Sequence, residues 1–316
     1  MCVLRAHLSG AGEGDLYGFC TPRSPTCFMR LTPLHTGFFK LDGGAMFGVV
    51  PRRMWAKMNP PDDQNLCTWA MRALLVQTDD GRNIVVDTGI GSKQDEKFRS
   101  HFLPHGEQSL LGALAEAGLS PDDVSDVFLT HLHFDHCGGA LWRDERSGAA
   151  VPTFPQATYW TNRRHYEWAL HPNDREKASF LKENFVPLHE QGRLRFVDVR
   201  QRVRFAPGFQ VLFLYGHTEA MMAPLLHTPQ GQLLYCADLM PAQWHVPMPY
   251  VMAYDIRPLL TLREKAKVLE AAVQHDITLF FEHDPVAECG KVARDAGGRI
   301  VLARSGTLAE VMGTGK

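Results

Sequence analysis

The chain has 316 residues, 45% of them hydrophobic and 22% charged, with a formal net charge of −2. That composition suits a globular protein with a sizeable core and removes any electrostatic case for nucleic-acid or membrane partners. No apolar run approaches the ~20 residues that a bilayer-spanning helix needs. Seven cysteines, without a Cys-x-x-Cys pair, form no disulfide framework and point to a reduced, cytoplasmic setting.

Residues 1–29 read as a flexible leader, rich in Gly, Ser and Pro and without the apolar centre of a signal peptide. Met29 is itself an alternative start. Residues 30–316, with no repeat or linker, read as one domain. Leu31–Leu41 is strand-like, and the turn signal Asp42-Gly43-Gly44 predicts a hairpin to a second strand over Ala45–Val50. Cys67–Gln77 and Asn83–Val86 form another pair around Asp79-Asp80-Gly81. Glu107–Ala117 is an amphipathic helix with Gly118 as its cap.

Asp126–Thr130 is a buried strand leading into Thr130-His131-Leu132-His133-Phe134-Asp135-His136. In extended chain, His131 and His133 share one face. Asp135 and His136 follow in a turn before Cys137-Gly138-Gly139. Three imidazoles and a carboxylate at this density suit zinc and related borderline metals better than they suit packing. Cys137 reads as packing.

Further on, Ala157–Trp160 is a strand, Thr161–Leu170 a helix, and Pro172-Asn173-Asp174 caps a second helix ending near Asn184. Five strands follow between Arg195 and Cys236. Thr261-Leu262-Arg263-Glu264 is a capping box whose helix places Leu262, Ala266, Leu269 and Val273 on one face. Ile277–Phe281 and Arg299–Leu302 close the chain. Periodicity alone defines mixed α and β.

The pattern His-x-His-x-Asp-His resembles the signature of the metallo-β-lactamase superfamily. Its other marks follow in order: Asp87 in Val85-Val86-Asp87-Thr88-Gly89, Gly216-His217-Thr218, Asp238 in Cys236-Ala237-Asp238, and His283 in Phe281-Glu282-His283. The resemblance runs from about Arg30 to Ala303. It implies an α/β (α+β) fold, the four-layer αββα sandwich. It also implies two divalent metal ions, with zinc expected: His131, His133 and His217 on one, Asp135, His136 and His283 on the other, and Asp238 bridging both. A bridging hydroxide would be the nucleophile, and Asp135 would orient it and carry a proton to the leaving group. Asp87 would accept a hydrogen bond from a ligand imidazole.

Within the superfamily the chain is most similar to the quorum-quenching lactonases and the methyl parathion hydrolase group. The resemblance implies a hydrolase acting on an ester-like bond of a small molecule, a lactone first and an aryl ester or organophosphate as the alternative. A metal-binding sensor without turnover is the reading from another class. Met46, Phe47, Phe134, Met240 and Trp244 are candidate pocket residues, and His245 borders them. In acyl-homoserine lactonases a tyrosine lies three residues after the bridging Asp. Pro241 stands there instead, so His245, Tyr215 or Tyr250 is expected to substitute, or the substrate differs. Glu219 reads as a surface carboxylate. The sequence admits a homodimer.

Overall fold

A computed structural model of the chain describes residues 29–201 and 203–313. The expected leader, up to residue 28, lies outside the described residues, and Met29 already belongs to the first strand. Strands Met29–Asp42 (β1), Leu66–Thr78 (β2), Asn83–Val86 (β3) and Asp126–Phe128 (β4) come first. A small ribbon of Leu141–Arg143 (β5) and Ala150–Pro152 (β6) follows, then Thr158–Asn162 (β7) and Leu194–Val197 (β8). The second half contributes Val203–Ala206 (β9), Phe209–Leu214 (β10), Met221–Thr228 (β11) and Gly231–Tyr235 (β12). Thr278–Phe280 (β13), Cys289–Arg294 (β14) and Ile300–Gly306 (β15) complete it.

These strands make a six-stranded sheet of order β1-β2-β3-β4-β7-β8 and a seven-stranded sheet of order β15-β14-β13-β12-β11-β10-β9. Alternation along the strands explains the layering. Leu74, Val76, Ile84 and Val86 share one core with the second sheet. Their neighbours Ala73, Leu75 and Val85 pack with Leu110, Leu114, Tyr166 and Leu188 of the covering helices. Because both faces are buried, β2 and β3 read as continuous apolar runs. On the far side, helix Pro258–Gln274 packs against the second sheet. The result is the four-layer αββα sandwich.

Three local expectations are corrected. Residues 43–47 are helical, because Asp42 Oδ1 accepts from Ala45 N at 2.8 Å and caps a turn of helix; β1 pairs with β2 instead. Residues 173–181 form turns rather than a helix, since Asn173 Oδ1 accepts from Arg175 N and Glu176 N and directs the Glu176 side chain inward. The helix expected from Thr261 begins at Pro258. Glu264 is not its cap but accepts from Tyr215 N at 2.8 Å and Gly216 N at 3.0 Å. Its buried face accordingly runs through Thr261, Glu264, Lys265, Val268, Leu269 and Ala272.

Candidate metal centre and its cavity

The predicted donors arrive at the carboxyl ends of strands. His131 and His133 follow β4, Asp135 and His136 lie on the single helical turn Phe134–Cys137, and His217 follows β10. Asp238 sits in a 3-10 turn after β12, and His283 follows β13. Asp87 and Ala237, beside these turns, take φ of +58° and +43°. Non-glycine residues hold such angles only where surrounding structure imposes them.

The donors converge in two groups. The ligating atoms of His131, His133, His217 and Asp238 lie within 4.8 Å of one another, as do those of Asp135, His136 and His283. His133 Nδ1 is 3.1 Å from His131 Nε2 and 3.2 Å from His217 Nε2. His283 Nε2 is 3.2 Å from His136 Nε2. Asp238 spans the groups, with Oδ2 3.1 Å from His217 Nε2 and Oδ1 3.2 Å from His283 Nε2. Imidazole lone pairs facing one another this closely need a proton or a cation between them, and a nitrogen-and-carboxylate set of this kind fits divalent metals.

The outward nitrogens are fixed as well. His131 Nδ1 is 3.0 Å from Thr130 Oγ1, which donates to Asp87 Oδ2 at 2.6 Å. His136 Nδ1 is 3.1 Å from Asp87 Oδ2 and from Glu282 Oε2. His217 Nδ1 meets Asp255 Oδ1 at 2.9 Å, and His283 Nδ1 donates to the Ala70 carbonyl at 2.8 Å. Four rings thus present Nε2 inward, the tautomer a metal requires. His133 alone turns Nδ1 inward, and its Nε2 lies 3.7 Å from Glu176 Oε1.

Burial works against charge on His217, yet Asp238 and Asp255 raise its pKa to about 10. Burial likewise opposes charge on His283, and Asp238 lifts it to about 9. The Asp238 carboxyl, for its part, is held well below the usual range by the surrounding imidazoles despite its burial. The carboxylates therefore demand positive charge beside them. Protons on the imidazoles meet that demand, and a divalent cation bound there displaces them.

Above the donors lies a cavity of about 240 Å³, with His133, Asp135, His217, Asp238 and His283 on its floor. Its apolar wall is Leu41, Met46, Phe102, Phe134 and Met252, and Arg175, Glu176, Ser179 and Tyr254 add polar groups. Of the candidate pocket residues, Met46 and Phe134 face this space. Phe47, Trp244 and His245 pack among aromatic rings behind Met46. There Phe47 stacks on His245 at 5.3 Å and His245 Nε2 is bonded to the Met46 carbonyl at 2.9 Å. Met240 is fully buried in the core between the sheets. The tyrosine at the cavity is Tyr254, rather than Tyr215 or Tyr250.

Sequence reasoning missed several members of this assembly. Glu176 was hidden in an apparent helix; it accepts from Thr218 Oγ1, Trp168 Nε1 and Asn173 Nδ2. Burial raises its pKa, but the neighbouring His133 ring and its bonds to Thr218 and Trp168 bring it down to about 2. Asp255 carries no motif. Glu282 adjoins a ligand but had no assigned role. His165 lacks ligand spacing, yet its Nε2 accepts from Leu132 N at 2.9 Å and its Nδ1 donates to the Glu219 carbonyl at 2.6 Å. Glu219 itself is corrected from surface to buried, paired with Arg257 at 2.7 Å and with Arg164. Cys137 is buried, and burial pushes its thiol up to about 12, consistent with packing.

Fold and donor set together define a metal-dependent hydrolase. The chain belongs to the metallo-beta-lactamase superfamily, whose profile matches residues 72–273. It is 27% identical to the N-acyl homoserine lactonase AiiA of Bacillus thuringiensis subsp. kurstaki over 233 residues, 70% of this chain and 82% of that protein. Among solved structures it resembles a probable metal-dependent hydrolase from Staphylococcus aureus, with a TM-score of 0.77 and 26% identity, over 88% of this chain and 96% of that one. The dizinc quorum-quenching lactonase AidC shares the fold at a TM-score of 0.69 and 20% identity, over 87% and 93% of the two chains. Among the described residues, no helix is long and apolar enough to cross a membrane.

Proposed function

We propose that this chain hydrolyses an ester-like bond of a small molecule, with a lactone as the substrate class and two divalent ions, expected as zinc, as cofactors. The observation that carries the reading is the convergence of seven His and Asp donors beneath a half-apolar cavity. The lactonase relatives at 27% identity support it. His131, His133 and His217 would hold one ion, Asp135, His136 and His283 the other, with Asp238 facing both. Two such ions supply Lewis acidity toward the scissile carbonyl and hydroxide at neutral pH.

The chain's own residues do the rest. Asp135, on the cavity floor, orients the attacking oxygen and passes its proton to the leaving oxygen. Leu41, Met46, Phe102, Phe134 and Met252 take up hydrocarbon and exclude water, which strengthens the polar contacts around the reacting bond. A cytoplasmic location belongs to the same proposal, supported by Cys67, Cys137, Cys236 and Cys289, all buried free thiols.

An aryl ester or organophosphate is the second reading, favoured by Pro241 at the place where lactonases carry a tyrosine. The test is a metal count alongside turnover of an N-acyl homoserine lactone, an aryl ester and an aryl phosphotriester. Lactone turnover that scales with bound metal and stops with chelator is expected. Turnover of the phosphotriester alone replaces the first reading by the second. Bound metal with no turnover on any of the three favours a sensor.

A further inference from the structure

We propose that Arg175 and Tyr254 form a donor pair that selects substrates bearing a carbonyl or carboxylate oxygen on the arm beyond the scissile bond. This rests on the lactone reading and deepens it. Both residues line the cavity, yet they come from segments about eighty positions apart in the chain. One nitrogen of Arg175, Nη2, donates to the carbonyls of Ala253 and Asp255, the two neighbours of Tyr254 in the chain. The guanidinium therefore straddles the tyrosine backbone and holds the phenol at the cavity.

That arrangement leaves Nε and Nη1 of Arg175 without a bonded partner among the described residues, and no carboxylate there pairs with it. Glu176, next in sequence, is committed to Thr218, Trp168 and Asn173. A guanidinium keeps its charge and presents only donors. The Tyr254 phenol, pushed above its ordinary pKa by desolvation and nearby carboxylates, is also a donor at neutral pH. The same cavity is lined by Met46, Phe102, Phe134 and Met252, which offer no polar side chain. A ligand filling the space meets both these hydrogen-bond donors and hydrocarbon. An arm with an oxygen acceptor followed by a short alkyl stretch satisfies both. Both residues also reach solvent, so with a bare alkyl arm the donors stay hydrated, whereas an acceptor-bearing arm gains a charge-assisted hydrogen bond.

The experiment measures binding of three hydrolysis-resistant five-membered lactams by calorimetry to the metal-loaded protein: one with a hexanoylamide arm, one with a carboxylate-ended arm, one with a plain hexyl arm. Wild type is expected to bind at least one acceptor-bearing lactam about tenfold or more tighter than the hexyl compound, the order of one charged hydrogen bond. Comparing the first two identifies the acceptor. Tyr254→Phe should reduce that preference severalfold while leaving affinity for the hexyl lactam within about twofold, the loss of a single contact. Arg175→Met, which also releases the Ala253 and Asp255 carbonyls, should reduce the preference at least as much. Equal affinity of wild type for all three lactams overturns the proposal. So does an equal loss on all three in Tyr254→Phe, which keeps the ring and the loop. Because binding is read without turnover, failure of the matching lactones to be hydrolysed counts against the lactone reading alone.

Discussion

Asp255 Oδ1 lies 2.9 Å from His217 Nδ1, though the two are 38 residues apart. The contact ties the loop over the cavity to the donor set beneath it. Two adjacent residues of helix Pro258–Gln274 secure both ends: Glu264 holds the Tyr215 and Gly216 amides, and the fully buried Lys265 donates to the carbonyls of Pro247 at 2.7 Å and Tyr250 at 3.0 Å. Asp255→Asn should therefore weaken metal binding about 10- to 100-fold, as loss of an outer partner does. The circular dichroism spectrum should stay native. Competition with a chromogenic chelator measures the affinity, and wild-type affinity in this variant would remove Asp255 from the design.

Asp238 faces both groups of donors, so Asp238→Ala should lower the metal count by more than one ion per chain and abolish metal-dependent hydrolysis. His133→Ala, which affects one group, should spare more of the bound metal while also abolishing turnover. Elemental analysis of the purified variants separates the two. Retention of full activity and two ions by either would refute the ligand assignment.

His165 links the two ligand loops as a neutral ring, one nitrogen accepting and the other donating. Burial lowers its pKa to about 3. An unfolded histidine titrates near 6.5, so between pH 6.5 and 3 the unfolded chain binds more protons and stability must fall as pH drops. The loss is about 1.4 kcal/mol per unit, or about 2 kcal/mol at pH 5. Urea midpoints of metal-free protein at pH 7 and pH 5 should show it. His165→Gln, whose amide can accept and donate in the same places, should lose this contribution.

The pair Gly138-Gly139 closes the metal loop against the Asp87-Thr88-Gly89 turn. A Cβ on Gly139 would come 2.2 Å from the Thr88 carbonyl, and one on Gly138 would come 2.1 Å from the Ile90 carbonyl. Since both obstacles are backbone, Gly139→Ala should shift the turn that holds Asp87 and cost about 1–3 kcal/mol, the usual scale of overpacking. Thermal unfolding checks the stability, and metal affinity should fall with it. A neutral effect would mean that the turn moves freely.

Much of the centre was legible along the chain because the chemistry is packed densely there. His131, His133, Asp135 and His136 fall within six residues after an apolar strand, and no packing demand calls for that combination. His217, Asp238 and His283 were legible from resemblance, each following a strand that periodicity already marked. The layers came from the resemblance, since periodicity alone defined only mixed α and β.

The outer partners were a different matter. Asp255, Glu176 and Glu282 are ordinary carboxylates in their local context, and a carboxylate's partner is chosen by whatever the fold brings within 3 Å, not by its sequence neighbours. The same holds for Lys265, whose place in the interior depends on carbonyls from a separate loop. For the pocket, aromatic character alone could not separate Phe134, which faces the cavity, from Phe47 and Trp244, which pack behind it. Local pattern pointed to the His131–His136 cluster as donors, and resemblance added His217, Asp238 and His283, because donor chemistry delivered from strand ends shows in the sequence itself. Tertiary packing decided which groups orient them and which surround the substrate, because those contacts exist only once distant segments meet.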